Sequence, residues 1–166
     1  SFNSNSSVVG GAIATTGDMD IKNSAFSGNI AKSSGGAIYN NSGTLNISSS
    51  TFDSNNAESG GAIVNAISSE KNKYGTAVIN DSTFTNNTAK IAGGDLTVTG
   101  STFKNNSANF DKIAEDFELL YGGGAIYNMG LKDNTLTTIN NSKFENNSTN
   151  VNGGAVSIVS GNVAIS

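Results

Sequence analysis

The chain has 166 residues, a net charge of −4, and no His, Cys or Arg. That length is one domain or a piece of one, and its 13% of charged residues is about half the usual ~25%. These figures exclude His- and Cys-based triads, thiol and disulfide chemistry and the usual zinc and haem sites. Without clustered cations they also exclude a nucleic-acid surface.

One unit recurs along the chain. Phe-x-x-Asn stands at Phe2–Asn5, Phe26–Asn29, Phe52–Asn55, Phe84–Asn87, Phe103–Asn106 and Phe144–Asn147. A Gly-Gly pair, then a small or turn residue and an aliphatic, follows each: Gly10–Ile13, Gly35–Ile38, Gly60–Ile63, Gly93–Leu96, Gly123–Ile126 and Gly153–Val156. From Phe to the first Gly the step is 8, 9, 8, 9, 20 and 9 residues, whereas from Phe to the next Phe it is 24, 26, 32, 19 and 41. A nearly constant segment beside a variable one predicts stacked repeats with loops inserted at fixed corners. Ser24, Ser50, Ser82, Ser101 and Ser142 lie two places before Phe, with a variable residue between. This period-2 alternation turns Ser and Phe inward. Asn falls three places after Phe, an odd step, so a corner lies between them.

A third strand precedes each following repeat: Met19–Ile21, Thr44–Ile47, Thr76–Ile79, Leu96–Val98 and Leu136–Ile139, with Val163–Ile165 at the end. Three short strands per turn, separated by Gly, Asn and Ser corners, predict an all-β parallel β-helix. It would be a three-sided solenoid of about six coils, roughly 30 Å long at about 4.8 Å per coil. The Phe side chains would stack inside, and the Asn side chains would form an amide ladder at a buried corner. A leucine-rich repeat needs several Leu per unit, and only Leu45, Leu96, Leu119, Leu120, Leu131 and Leu136 are present.

In chain order, repeat 1 carries Asp18 and Asp20 two apart, a pair suited to acid–base work or Ca²⁺ or to a solvated strand end. Repeat 2 is the cleanest, and its Tyr39 should point outward, as should Tyr127 in repeat 5. Repeat 3 has extra residues around Ile67–Tyr74, including Glu70, Lys71 and Lys73. Repeat 5 has extra residues at the same corner, around Met129–Asn134, including Lys132 and Asp133. These insertions make one edge the candidate partner surface, formed by Tyr39, Glu70, Lys71, Lys73, Tyr74, Tyr127, Lys132 and Asp133, because loops on a rigid scaffold carry function. Neutral drift at a tolerant corner explains them equally well. Repeat 4 is the shortest. Its Gly-Gly strand runs into the next Phe segment, so two strands merge there, and Asp95 stands where the other repeats have Ala. In repeat 5, residues 109–121 form a helical insertion. Phe110, Ile113, Phe117 and Leu120 share one face, Asn109 is the N-cap, and Gly122 onward stops the helix. Repeat 6 returns to the pattern.

No cofactor or metal motif is present, and no stretch is apolar enough to span a membrane. The alternative is a β-helical carbohydrate-binding or carbohydrate-cleaving protein that uses loop carboxylates, with two-carboxylate glycoside hydrolysis by Asp18, Asp20 or Asp95 as its enzymatic form. The chain begins inside a motif and stops on a strand, with no polar cap at either end, so it is expected to continue in both directions.

The paired motifs, as in Phe52–Asn55 with Gly60–Ile63, resemble those of the polymorphic outer-membrane proteins of chlamydiae. More broadly they are similar to the passengers of autotransporters and to adhesin-like surface proteins. The resemblance implies a right-handed β-helix that is secreted and displayed at the cell surface or outer membrane. It implies adhesion to a protein or glycan of a host or neighbouring cell. The expectation is a non-enzymatic stalk with loop-borne binding, no membrane insertion by this segment, and end-to-end or edge self-association as a further possibility.

Overall fold

The structure, a computed structural model, describes residues 1–68, 73–88, 95–108, 125–129, 136–150 and 153–166. The helix expected over 109–121 lies outside those residues. Among the described residues all helical and strand structure is β. What organises it is a set of sharp corners. Two residues after each Phe, the backbone turns left-handed at Ser4, Gly28, Ser54, Asn86, Asn105 and Asn146. A second such column lies at Asn23, Ser49, Asp81, Gly100 and Asn141, just before each inward Ser. A third lies at the first Gly of the pair: Gly10, Gly35, Gly60 and Gly153. A left-handed residue is costly for most side chains and cheapest for Gly, Asn and Asp. The Asn-, Ser- and Gly-rich composition is therefore largely the composition of corners.

Between corners the chain runs as short strands, and each strand lies beside its equivalent in the next repeat. One six-stranded parallel sheet takes the Phe strands in chain order: Phe2–Asn3, Ala25–Ser27, Thr51–Asp53, Thr83–Thr85, Thr102–Lys104 and Lys143–Glu145. The six Phe residues pair only with one another. A second six-stranded parallel sheet joins Met19–Lys22, Thr44–Ser48, Thr76–Asn80, Asp95–Thr99, Leu136–Asn140 and Asn162–Ile165. After Gly-Gly, Ile13–Thr15, Ile38–Asn41 and Ile63–Ser68 pair in parallel, as do Ile126–Met129 and Val156–Ser160. After the Asn corner, parallel bridges run Ile30–Asn56–Thr88–Ser107. This all-β arrangement of parallel sheets is consistent with a β-helix-like fold.

The core is built from columns. Ile21, Ile47, Ile79, Val98 and Ile139 form one, Leu45, Ala77 and Leu96 another, and Ile38 and Ile63 a third, all buried. The Phe rings stack with centroids 4.7 to 5.0 Å apart and planes within 7°. That spacing is the strand spacing, and it lies within the range where aromatic pairs attract. Gly36 shows why a second glycine follows the left-handed one: a Cβ there would collide with the carbonyl oxygen of Gly61 in the next repeat.

Repeat 4 departs from expectation in its details. Asp95–Thr99 belongs to the second six-stranded sheet, where Asp95 pairs with Thr76 and Leu96 with Ala77. Asp95 is therefore not a substitute in the Ala column. The reason is length: from Thr88 to Asp95 the chain is half as long as between the equivalent residues Ile30 and Thr44. It reaches the second sheet without laying down a full strand after Gly-Gly.

Candidate functional site

The Asn column is a continuous hydrogen-bonded file. Each Asn Oδ1 accepts both the N–H and the Nδ2–H of the Asn one repeat earlier. Asn5 donates to Asn29, Asn29 to Asn55, Asn55 to Asn87, Asn87 to Asn106, and Asn106 to Asn147, at 2.8 to 3.1 Å. The second Nδ2 hydrogen goes to a Phe carbonyl one repeat back: Asn29 to Phe2, Asn55 to Phe26, Asn87 to Phe52, Asn106 to Phe84 and Asn147 to Phe103. Asn29, Asn55, Asn87 and Asn106 are buried, where an unpaired amide would cost about 1–3 kcal/mol. The file satisfies every one of these groups.

The inward Ser residues form a second file that inward direction alone does not reveal. The N–H groups of Ser24, Ser50, Ser82 and Ser101 each donate to the Ser Oγ of the next repeat. Each of Ser24, Ser50, Ser82, Ser101 and Ser142 donates its hydroxyl to the carbonyl two residues back. A third file lies outside the Phe, Ser and Asn offsets. Asn40 Nδ2 donates to Asn65 Oδ1 at 2.8 Å and to Gly43 O at 2.7 Å, and Asn65 Nδ2 donates to Gly75 O at 2.8 Å. Its trace in the sequence is Asn two places after the Gly-Gly aliphatic, at Asn40, Asn65 and Asn128. Asn40 Oδ1 is buried without a partner. Its register neighbour in repeat 1 is Thr15, whose hydroxyl donates instead to Gly17 O.

The proposed partner surface is only partly described. The repeat-3 insertion is a hairpin: Ile63–Ser68 overruns its neighbour, and Lys73–Tyr74 returns antiparallel, Ile67 opposite Tyr74 and Ser68 opposite Lys73. Gly75 N–H then donates to Ala66 O at 3.1 Å. Glu70, Lys71, Lys132 and Asp133 lie outside the described residues. Tyr39 is half-buried between Ala14 and Val64 in register. Tyr127 pairs with Ser157 in a separate two-stranded sheet. No described contact joins the two tyrosines.

The carboxylates have structural partners. Asp18 Oδ1 accepts the N–H of Thr44 at 2.7 Å, and Asp20 Oδ1 accepts Asn46 Nδ2 at 2.8 Å. Asp95 lies three strands further along the same sheet. That sets its backbone about 14 Å from theirs at the usual strand spacing. Glu145 is bridged by Lys143 beside it and by Lys104, 3.6 Å away on the neighbouring strand. The hydrogen bond from Lys143 and then its charge hold the Glu145 carboxyl below its ordinary pKa; burial opposes them, and Lys104 adds a lesser lowering.

Fold and files together define a class: a parallel all-β repeat protein whose inward Asn and Ser side chains hydrogen-bond from one repeat to the next. Within that class, residues 23–41, 100–129 and 141–159 match the family model of the Chlamydia polymorphic membrane protein repeat. No curated protein and no solved structure matches the chain. The match is that of a polymorphic outer-membrane, autotransporter-passenger type of repeat, and it supports a cell-surface association.

Proposed function

We propose that this chain is part of a secreted, surface-displayed passenger. It folds as a right-handed, three-sided parallel β-helix and acts as a non-enzymatic adhesive stalk. The carrying observation is the unbroken register of the Phe strands, with rings 4.7 to 5.0 Å apart from Phe2 to Phe144, in a chain whose repeats match a surface-protein family. Such a rod holds loops at fixed positions along its length. Its outward ranks are mostly Thr, Ser and Asn, which avoids the like-charge repulsion that stacked identical charges would bring.

Partner contact is assigned to the edge that carries the Lys73–Tyr74 hairpin, with Tyr39, Glu70, Lys71, Tyr127, Lys132 and Asp133. The partner is a protein or glycan on a host or neighbouring cell. The test uses the purified chain on cells and on a glycan array, beside a Lys73→Ala/Tyr74→Ala variant with an unchanged circular dichroism spectrum. The reading requires binding by the parent chain and at least about a tenfold loss in the variant, some 1.4 kcal/mol. Polysaccharide cleavage that disappears in Asp95→Asn would replace it with the enzymatic reading.

A further inference from the structure

Three of the corners carry a reactive pair of residues. Asn23, Asn86 and Asn105 are exposed and left-handed, and each is followed directly by a member of the Ser or Asn file: Ser24, Asn87 and Asn106. An exposed asparagine is open to a reaction that needs no enzyme. The backbone nitrogen of the next residue bonds to its Cγ and gives its proton to hydroxide. The Cγ–Nδ2 bond breaks, and Nδ2 takes a proton from water and leaves as ammonia. Water then opens the succinimide ring to aspartate or isoaspartate.

In this fold the attacking nitrogen is occupied. Ser24 N–H donates to Ser50 Oγ at 3.1 Å, Asn87 N–H to Asn106 Oδ1 at 3.1 Å, and Asn106 N–H to Asn147 Oδ1 at 3.0 Å. Ser50 and Asn106 are 2% and 3% exposed, so the first two of these N–H groups point at a buried residue and away from the base that must take the proton. The peptide is planar, so turning the nitrogen toward Cγ breaks the bond. A file oxygen in one repeat thus guards the corner asparagine of the repeat before it. The reaction would damage both charge and register. Asn86 Nδ2 donates to Asp53 Oδ1 at 3.0 Å, so aspartate at position 86 would set two carboxylates against each other there. Isoaspartate would lengthen the backbone at a corner whose flanking strands are held in register on both sides.

We propose that Asn23, Asn86 and Asn105 are latent deamidation sites, held in check by Ser50, Asn106 and Asn147 of the following repeats. Loss of one file side chain then exposes one particular asparagine, in the repeat before it. This inference rests on hydrogen bonds within the fold and not on the adhesion reading. Ser82 supplies the contrast. Its Oγ accepts the N–H of Ser50 in the same way at 3.2 Å, but the residue before Ser50 is Ser49, which has no amide to lose.

Site-resolved mass spectrometry of the purified chain, kept at mildly alkaline pH, tests it, with circular dichroism confirming the fold of each sample. In the folded parent all three asparagines should convert at least about tenfold more slowly than in the urea-unfolded chain, as expected when one hydrogen bond must break first. Ser50→Ala should speed Asn23 by about the same tenfold and leave Asn86 and Asn105 at the parent rate. Ser82→Ala, which loses the equivalent bond in the same file, should leave all three at the parent rate. Asn147→Ala repeats the test at a second position and, of the three, should speed Asn105 alone. The proposal is overturned by parent sites that convert as fast folded as unfolded. It is equally overturned if Ser50→Ala leaves Asn23, or Asn147→Ala leaves Asn105, at the parent rate, or if Ser82→Ala speeds Asn23 as much as Ser50→Ala does.

Discussion

Truncating Asn55 to Ala gauges how much of the stability the Asn file carries. Asn55 makes four side-chain hydrogen bonds. It accepts from Asn29 N–H and Nδ2–H at 3.0 and 2.9 Å, and it donates to Phe26 O and Asn87 Oδ1, both at 3.0 Å. In the variant, Asn87 Oδ1 still accepts the N–H of residue 55. The Asn29 N–H and one Asn29 Nδ2 hydrogen are left unpaired, while Phe26 O stays in the parallel ladder with the Asp53 strand. At about 1–3 kcal/mol for each stranded buried group, less what water regains by entering the vacated space, the loss should be about 2–4 kcal/mol. That is a large share of the ~5–15 kcal/mol that stabilises a whole domain. Asn5→Ala is the internal control. Asn5 is exposed, and its side chain donates only to Asn29 Oδ1, which keeps the Asn5 N–H. That change should cost about 1 kcal/mol or less. Urea unfolding followed by far-UV circular dichroism gives both values. Equal losses at the two positions would refute a file sealed from water.

The glycines offer a paired test. Gly36→Ala drives a methyl into Gly61 O and should cost at least about 2 kcal/mol. At Gly17 a Cβ meets nothing within 4 Å, so Gly17→Ala should be neutral or raise stability by up to about 1 kcal/mol; thermal melts separate the two. Thr15→Asn should extend the third file by giving Asn40 Oδ1 a donor. It should raise the urea midpoint by the equivalent of about 1 kcal/mol, and no gain would mean that Thr15 is not aligned with Asn40. Glu145 titrates below its ordinary value of 4.5 when folded. The stabilisation from its lysine partners is therefore present above that value and is lost as pH falls through the lower folded pKa. Glu145→Gln should flatten that part of the acid limb in a pH series of melting temperatures. An unchanged acid limb would show that the lysine contacts do not stabilise the fold.

The partner residues are legible to different degrees. Sequence spacing singles out the edge bearing Lys73 and Tyr74, because an insertion in one repeat stands out against a constant segment. It does not say that these residues return as a hairpin on Ile67 and Ser68, since that depends on backbone pairing rather than composition. Nor does spacing separate Tyr39 from Tyr127: both follow an inward Ile, but they lie in different sheets because repeat 4 is too short to place a full strand between them. Asp95 is the clearest mismatch. Local alignment on Gly-Gly puts it with Ala, while strand pairing puts it opposite Thr76.

By itself the sequence determined the rungs. Phe, Ser and Asn recur at fixed offsets around residues that tolerate a left-handed backbone, and those offsets decide which side chains face inward before any long-range contact forms. Only the tertiary structure decided what runs between the rungs. It set the forward direction of the Ser and Asn hydrogen bonds, the Asn40–Asn65 file over Gly43 and Gly75, and the Lys104–Glu145 bridge between strands 41 residues apart. Direction along one strand is a short-range property of φ, ψ and alternation. The choice of neighbour is made across loops of unequal length, by which backbone and amide groups would otherwise be buried without partners.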